Sequence, residues 1–283
     1  MESLTDSAFT ASMTSTTSSL TLVTGGTGKT GRRVAERLEA RGVPVRIGSR
    51  SGSPAFDWDD RSTWAAALDG TSAAYISFFP DLAVPGSVDA IEAFSEAALA
   101  AGCRRLVLLS GRGEQEAERA ERALQASGAD WTIVRCSWFG QNFTESYFLE
   151  PLLAGELALP ADGVREPFVD ADDIADVAVA ALTEDGHAGR LYELTGPRAL
   201  RFDEAVAEIA AASGREVRFV GVPLDEFVAA APPDFAELAA LLFGELLDGR
   251  NAEPQDGVFR ALGRAPRDFG EYARRVAAQG AWS

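Results

Sequence analysis

A glycine-rich turn between a strand and a helix is the feature that most limits what this chain can fold into. The run TGGTGKTG at 24–31 follows an apolar, β-prone stretch at 20–23 and opens a segment, 29–40, whose apolar residues recur at helical spacing. Gly25, Gly28 and Gly31 lie three residues apart. In this setting, such glycines permit a tight turn, close approach of a pyrophosphate and close packing of helix on strand.

The turn therefore predicts a dinucleotide site, with phosphates held by N–H groups at the start of the helix. We include Thr27, Lys29 and Thr30 with the three glycines among the cofactor-binding residues. The alternative is that the glycines only end a strand and begin a helix. A P-loop is excluded, because that motif needs glycine five positions before Gly28, where this chain has Val23.

The end of the second predicted strand, at 43–47, indicates which dinucleotide is bound. Sites that select NAD offer an acidic side chain about 20 residues beyond the turn, which bonds the ribose hydroxyls. Here the strand is followed by Gly48, Ser49 and Arg50. A hydroxyl and a guanidinium suit a 2′-phosphate, so NADP(H) is favoured and NAD(H) stays open. The alternative is that Arg50 is a solvated loop residue.

Strand and helix patterns alternate through the first half of the chain. The alternation predicts an α/β protein, a Rossmann-type doubly wound parallel sheet with helices on both faces. The rhythm loosens later, which indicates a smaller mixed C-terminal substrate lobe. We predict a Rossmann domain at 20–135 and this lobe at 136–283, with the sheet partly shared. Strands are predicted at 20–23, 43–47, 55–57, 73–78, 105–109, 131–135, 191–194 and 217–220, and helices at 29–40, 62–68 with Ser62 as cap, 88–101, 114–126, 172–182 and 202–213.

Composition narrows the class further. Of the 283 residues, 46% are hydrophobic and 24% charged, and the formal net charge is −17. That acidic balance disfavours direct nucleic-acid binding, and no apolar run is long enough for a membrane span. Cys103 and Cys136 lie in or beside apolar segments, which predicts buried, reduced thiols and a cytoplasmic protein. Residues 1–19 are rich in Ser and Thr and are predicted to be a disordered leader; Met1 and Met13 are alternative starts.

Six sequence blocks, in order, resemble the NmrA-like, atypical short-chain dehydrogenase/reductase family, and most of all its bacterial proteins related to ergot-alkaloid dehydrogenases. The resemblance implies an NADP(H) or NAD(H) site and, in enzymatic members, reduction of quinones, enones, imines or iminium ions. The blocks are TGGTGKTGRRV at 24–34, FDWDD at 56–60, LVLLSGRG at 106–113, DWTIVRCSWFGQNF at 130–143, FVDADDIADVA at 168–178 and LYELTGP at 191–197.

The same resemblance implies the remaining site residues. It places Asp57 and Trp58 beside the adenine, and it places Ser77 and Phe78 along the ribose and nicotinamide half of the cofactor. Ser110 and Gly111 would lie near the nicotinamide. A substrate pocket would be lined by Phe79, Trp138, Phe139, Asn142, Phe143 and Tyr147, although each aromatic residue has ordinary core packing as its alternative.

The chain departs from short-chain reductases at their Tyr-x-x-x-Lys pair. If Glu121 is the glutamate that usually follows the lysine by four residues, Gly113 and Ala117 occupy the positions of the tyrosine and the lysine. No standard proton donor is left. Tyr147 and Ser110 are weak catalytic candidates, and Glu145 could pair with a cationic substrate. The single histidine, His187, lies in a turn-rich loop and is not expected to be catalytic, and no His/Cys cluster has metal-binding spacing.

Three functions remain open. The first is an NADPH-dependent reductase of a small organic molecule, with imine or iminium reduction the simplest because an iminium ion accepts hydride without a proton. The second is a non-catalytic NADP-binding redox sensor that acts through a protein partner. The third is a non-redox isomerase or cyclase of secondary metabolism. A monomer or small homo-oligomer is expected, and the apolar segment 238–247 could cover the pocket or form a subunit contact.

Overall fold

The computed structural model describes residues 20–283, apart from the side chain of Asp234; the predicted leader and the choice of start lie outside this range. The first half of the chain alternates strands and helices as predicted. Its elements are β1 (Leu20–Thr24), α1 (Gly31–Ala40), β2 (Val45–Gly48), α2 (Trp64–Leu68), β3 (Thr71–Ile76), α3 (Ser87–Ala100), β4 (Arg105–Gly111), α4 (Gln115–Ala126) and β5 (Asp130–Cys136).

The second half contains shorter strands among the helices. Its elements are α5 (Leu149–Leu153), β6 (Glu156–Leu159), β7 (Arg165–Glu166), α6 (Ala171–Thr183), β8 (Arg190–Leu194), β9 (Leu200–Arg201), α7 (Phe202–Ser213), β10 (Arg218–Gly221), α8 (Leu224–Ala230), α9 (Pro233–Leu241), α10 (Gly257–Leu262) and α11 (Phe269–Ala278).

Six parallel strands form the central sheet in the order β2-β1-β3-β4-β5-β8. Alternate side chains on one strand enter different cores, because successive residues point to opposite faces. Val107 packs with the core that contains α1 and α6, whereas Leu106 and Leu108 pack with the core that contains α2, α3 and α4. The expected doubly wound Rossmann-type sheet is confirmed.

One strand beyond the predicted domain boundary, β8, returns to this sheet. β8 pairs in parallel with β5, and the remaining strands form two small sheets, β6 with β10 and β7 with β9. Around them lies a third core rich in aromatic residues, among them Phe143, Phe202 and Phe269. The division into two domains stays a prediction.

Two local predictions were wrong. Residues 55–57 are not a strand: they leave the sheet beyond its edge strand β2, and Phe56 is buried against the aromatic rings of Trp58, Trp64 and Phe94 instead of pairing with a neighbour. A short 3₁₀ turn, Arg61–Thr63, leads into α2 and is capped by Asp60, whose carboxylate accepts the Ser62 N–H at 3.0 Å; Ser62 itself is not the cap.

Ion pairs fasten the last part of the chain to the Rossmann sheet. Arg37 of α1 contacts Asp172 and Asp176 of α6, each at 2.7 Å. The wholly buried Asp173 accepts the backbone N–H of Arg267 at 2.7 Å and lies 2.7 Å from the Arg264 guanidinium. The segment before α11 is therefore held against the helix that covers the sheet.

Candidate functional site

The glycine turn has the geometry that a dinucleotide cradle requires. Gly25 adopts a φ of 61°, which favours glycine, and its carbonyl accepts the Gly28 N–H at 2.8 Å. A Cβ at Gly31 would overlap the Gly25 carbonyl, so this glycine allows α1 to pack on the turn. A Cβ at Gly28 would have one neighbour within 4 Å, the Gly25 oxygen at 3.2 Å. Gly28 therefore leaves room at the mouth of the turn.

The other residues of the turn divide between surface and interior. Thr27 is exposed, Lys29 is half-buried and Thr30 is buried. Burial lowers the pKa of Lys29, and the nearby Glu145 carboxylate opposes that shift. Thr30 begins α1 without a side-chain cap, so its hydroxyl does not satisfy the helix N-terminus. An uncapped N-terminus suits an anionic ligand.

The ends of β1 and β3 are joined beside the turn. The Ser77 N–H donates to the Thr24 hydroxyl at 2.8 Å, and this hydroxyl lies 3.1 Å from the carbonyl of Tyr75. The strand order reverses between these two strands, which is where ligands bind in open α/β sheets. The structure thus brings Ser77 next to the glycine turn; a Cβ at Gly25 would lie 3.2 Å from the Ser77 side chain.

Ser49 and Arg50 follow β2 on the other side of the turn. Ser49 is partly buried and its carbonyl accepts the N–H groups of Gly52 and Phe56. The Arg50 side chain is exposed, and among the described residues it makes no ion pair. Its guanidinium carbon lies 6.0 Å from the centre of the Phe79 ring. This cation is available to an anion.

The residues predicted to lie near the adenine form part of an aromatic cluster. Trp58 is half-buried; its indole N–H donates to the Ser77 carbonyl at 3.1 Å, and its ring centre is 5.1 Å from that of Phe78. The Asp57 carboxylate accepts the Asp59 N–H at 3.2 Å. The cluster adjoins the switch point, and the contact with adenine stays a prediction.

Ser110, at the end of β4, does not have the surroundings expected of a catalytic residue. The hydroxyl of Ser110 donates to the buried Glu121 carboxylate at 2.6 Å, and Arg135 binds the same carboxylate and also Glu193. Ser110 therefore has its proton engaged below the sheet edge, which does not favour it as a catalytic acid. A Cβ at Gly111 would overlap the carboxyl group of Glu114.

The predicted substrate pocket is only partly assembled. Trp138 is half-buried and packs against Phe243 and Phe202, at ring distances of 5.1 and 6.0 Å. Phe139 and Asn142 are half-buried, and Phe79 is 68% exposed. Phe143 is wholly buried among other phenylalanines, which favours the alternative of ordinary core packing; its assignment to the pocket wall stays a prediction.

The segment 238–247 lies over this region. The helix α9 is followed by a π-helical turn, Leu242–Leu246, which carries Phe243 against Trp138. Tyr147 is 51% exposed and its ring stacks on Phe235 of α9 at 4.2 Å. These contacts favour a helix that covers the pocket. They make Tyr147 a packing residue at the rim, and its role as an acid stays an untested prediction.

Two other candidates are engaged elsewhere. Glu145 lies 2.7 Å from Arg32 and 2.8 Å from Arg33; burial alone would raise its pKa, but these hydrogen bonds outweigh burial and lower it. It is therefore already neutralised, which argues against its pairing with a cationic substrate. His187 is buried with its ring nitrogen 2.9 Å from the Tyr192 hydroxyl, as expected for a structural histidine.

Three acids near the sheet edge, two of them buried, were missed by the sequence analysis. Glu114 and Asp81 lie together, and Glu166 is wholly buried with both carboxyl oxygens unpartnered among the described residues. Asp81 and Glu114 follow β3 and β4 closely in sequence, a position that could have indicated them. Nothing in the sequence distinguishes Glu166 from an exposed residue of a short strand.

The fold and site define a dinucleotide-binding Rossmann protein, and comparison with known proteins identifies the family. Residues 25–185 match the family model described as NAD(P)H-binding. The chain is 32% identical over 273 residues to the uncharacterized oxidoreductase YesF of Bacillus subtilis, covering 91% of this chain and 95% of YesF. It is 30% identical to an NAD(P)H azoreductase of Xenophilus azovorans, covering 91% of this chain and 98% of that protein.

The ergot-alkaloid likeness is also present. Festuclavine dehydrogenase of Aspergillus fumigatus is 29% identical, with 91% of this chain and 98% of that protein covered. Among solved structures, the NADPH complex of quinone oxidoreductase QOR2 from Escherichia coli has a TM-score of 0.75 at 21% identity, covering 91% of this chain and 99% of that chain. NmrA, a negative transcriptional regulator in complex with NAD, has a TM-score of 0.71 at 17% identity, with 93% and 96% covered.

The chain belongs to the NAD(P)H-binding, NmrA-like family of atypical short-chain dehydrogenases/reductases. Its curated relatives are named as an oxidoreductase, an azoreductase and dehydrogenases, and this places it with the NAD(P)H-dependent oxidoreductases. Within the described range, no helix has the length and apolar character needed to cross a membrane, and no group of acidic, histidine or cysteine side chains has the arrangement of a metal site.

Proposed function

We propose that the protein is an NADPH-dependent reductase of a small organic substrate, an imine or iminium ion, an enone or a quinone. The observation that carries the choice of cofactor is the exposed guanidinium of Arg50, which has no carboxylate partner among the described residues. It follows β2, where a site for NAD would offer an acid. Ser49 beside it supplies a hydroxyl for the same 2′-phosphate.

The residues present fit this cofactor. Gly28 leaves space where a pyrophosphate would lie, and the uncapped start of α1 offers N–H groups to its oxygens. When bound, the reduced nicotinamide supplies a hydride. The protein's own part is to bind and orient the two partners, for which Ser77 and the Trp58–Phe78 cluster flank the turn.

The substrate class follows from the lining and from the relatives. Trp138, the helix that carries Phe243 and the exposed Phe79 offer aromatic surfaces to a flat organic molecule. Relatives are named for an azo substrate and for festuclavine, and a structural neighbour is named for quinones. Azo compounds and quinones have an electron-poor double bond that accepts hydride, and we propose a substrate of that kind for this chain.

The two positions that correspond to the Tyr-x-x-x-Lys pair have no space for the tyrosine and lysine side chains. Gly113 has a φ of 80°, and a Cβ there would lie 2.8 Å from the Asn251 side chain. Ala117 is wholly buried in the core beneath α4. An iminium ion needs no proton to accept hydride, so it is the substrate that this site reduces with the least help.

The test is to follow NADPH oxidation by its nicotinamide absorbance with a panel of quinones, enones, azo compounds and cyclic iminium ions. Turnover with at least one class, faster with NADPH than with NADH, supports the proposal. Tight NADPH binding without any turnover contradicts it.

The second candidate function is a redox sensor. It is favoured by the missing Tyr-x-x-x-Lys pair and by the likeness to NmrA, whose fold is shared. A sensor would distinguish oxidised from reduced cofactor by affinity and act through a protein partner. Equal affinity for NADP⁺ and NADPH would exclude it.

A further inference from the structure

Two carboxyl groups meet at the edge of the sheet where the loops after β3 and β4 come together. Asp81 lies in the loop after β3 and Glu114 ends the loop after β4; their carboxyl groups face each other, and each influences the pKa of the other. The Asp81 carboxylate also accepts the Ala83 N–H at 2.9 Å, which fixes its orientation. The Glu114 carboxyl group lies directly over Gly111, in the space that any side chain at that position would fill.

The Glu114 side chain is buried but incompletely paired. The residue is 9% exposed, and its Oε2 atom has no hydrogen-bond partner among the described residues. The titratable groups that face it are Asp81, Glu121 of α4 and the Cys136 thiol of β5, all of which are acids. Burial, reinforced by the negative charges of Asp81 and Glu121, raises the pKa of Glu114 well above its ordinary value. Glu114 therefore holds its proton to a higher pH than an exposed glutamate does.

Asp81 and Glu114 lie where the nicotinamide half of an extended dinucleotide is expected. The pyrophosphate belongs at the glycine turn after β1, and the 2′-phosphate end belongs at Arg50 after β2. The order β2-β1-β3-β4 leaves the other half of the molecule to run over the ends of β3 and β4. Asp81 and Glu114 follow those two strands.

We propose that Glu114 is the catalytic proton donor of this reductase, taking the part that the absent tyrosine plays in other members, and that Asp81 is its positioning residue. This inference rests on the proposed function. As hydride reaches the substrate carbon, the Glu114 carboxyl proton passes to the oxygen or nitrogen that gains the electron pair of the double bond. The carboxylate then regains a proton from water, so each turnover consumes one NADPH and one solvent proton.

The first test needs no substrate. Oxidised nicotinamide carries a positive charge and reduced nicotinamide does not, so NADP⁺ beside Glu114 should expel its proton and NADPH should not. Calorimetric titration in buffers of different ionisation enthalpy measures the proton released on binding. We expect release with NADP⁺ alone in the wild type, none in Glu114→Gln, and wild-type behaviour in the matched control Glu118→Gln. Equal release in Glu114→Gln and wild type would overturn the assignment.

The second test separates an acid from a structural residue. Glu114→Gln should slow reduction of quinones or enones by about 10²- to 10⁴-fold and leave reduction of an iminium ion within about threefold, because only the former needs a proton. Equal losses with both substrate classes would contradict the role. If the wild type reduces nothing, the proposed function fails, and the proton-release experiment still decides whether Glu114 holds a proton beside the nicotinamide.

The positioning role of Asp81 is tested by a separate variant. Asp81→Asn removes a negative charge that keeps the proton on Glu114, so the pH at which NADP⁺-linked proton release disappears should move down. An unchanged pH profile in a folded Asp81→Asn protein would contradict the positioning role.

Discussion

The guanidinium of Arg50 lies over the ring of Phe79, 6.0 Å from its centre, so that residues after β2 and after β3 meet across the end of β1. The glycine turn emerges between them. Arg50 is thus held near the turn by an aromatic ring and not by a carboxylate. Its charge is left without a carboxylate partner among the described residues, and we propose that it binds the 2′-phosphate and so distinguishes the two nicotinamide cofactors.

Arg50→Ala should weaken NADPH binding by about 10- to 100-fold and leave NADH binding unchanged, because a guanidinium–phosphate hydrogen bond contributes about 1.5–3 kcal/mol. Fluorescence titration with both cofactors measures this. Arg122→Ala is the matched control, an exposed arginine of α4 without an ion pair among the described residues. An equal loss for NADH would show that Arg50 does not read the 2′-phosphate.

Two glycines of the turn should respond differently to alanine. In Gly28→Ala the new methyl group meets only the Gly25 carbonyl oxygen, at 3.2 Å, which must shift slightly. The methyl group also lies where the pyrophosphate belongs, so NADPH affinity should fall at least tenfold with little change in melting temperature. Gly31→Ala overlaps the Gly25 carbonyl and should cost about 1–3 kcal/mol of stability as well. Thermal unfolding and cofactor titration of both variants separate the effects. A Gly28→Ala protein that binds NADPH normally would contradict the placement of the diphosphate.

Glu166 should make stability depend on pH. Burial raises the pKa of Glu166 to about 8, against 4.5 as its ordinary value, and the approach of Arg112 only partly offsets this. Between these two pKa values the folded protein holds a proton that the unfolded chain has lost. The contribution of Glu166 to the free energy of unfolding is therefore greatest at low pH and is lost as the pH rises from about 4.5 to about 8.

Glu166→Gln should accordingly be more stable than the wild type at about pH 9, by a few kcal/mol at most, and little different at about pH 5. Urea unfolding at both pH values measures it, with the exposed Glu150→Gln as the control. A stability difference that does not change with pH would show that Glu166 finds a partner in the folded protein.

Asp173 should be the most costly member of the ion-pair network. It is wholly buried and pairs with Arg264 and Arg267, so Asp173→Asn leaves these two cations with only Asp176 as a carboxylate partner among the described residues. We expect a loss of about 3 kcal/mol, whereas Asp203→Asn, in an exposed pair with Arg201, should cost less than about 1 kcal/mol. Similar small losses in both would mean that the network does not hold the C-terminal segment.

The sequence was sufficient to predict the fold where the local residue pattern and the long-range packing favour the same structure. The strand–turn–helix context of Gly25, Gly28 and Gly31 predicted the turn, because each glycine meets a local backbone requirement. The alternation of strands and helices predicted the parallel sheet. The sequence was not sufficient where tertiary contacts decide. Residues 55–57 have β-like composition but no strand beside them, and the ring of Phe143 enters a core assembled from α7 and α11.

The candidate site shows the same division. The cofactor-binding half follows from motifs close together in the chain, whereas the contact of Asp81 with Glu114 joins loops 33 residues apart and has no signature of its own. The carboxyl edge of a parallel sheet collects such residues only once the strand order is known. For that reason the missing tyrosine was evident from the sequence and its proposed replacement was not.

The most direct measurement of the central claim is the fate of labelled hydride. The protein is incubated with a substrate from the active class and with NADPH that carries deuterium on one or the other face of the nicotinamide C4. Mass spectrometry then measures the deuterium content of the product. We predict that deuterium enters the product from one face alone and that Arg50→Ala slows this transfer at limiting NADPH. Deuterium that stays in the cofactor with both labels, across the whole substrate panel, would contradict a reductase.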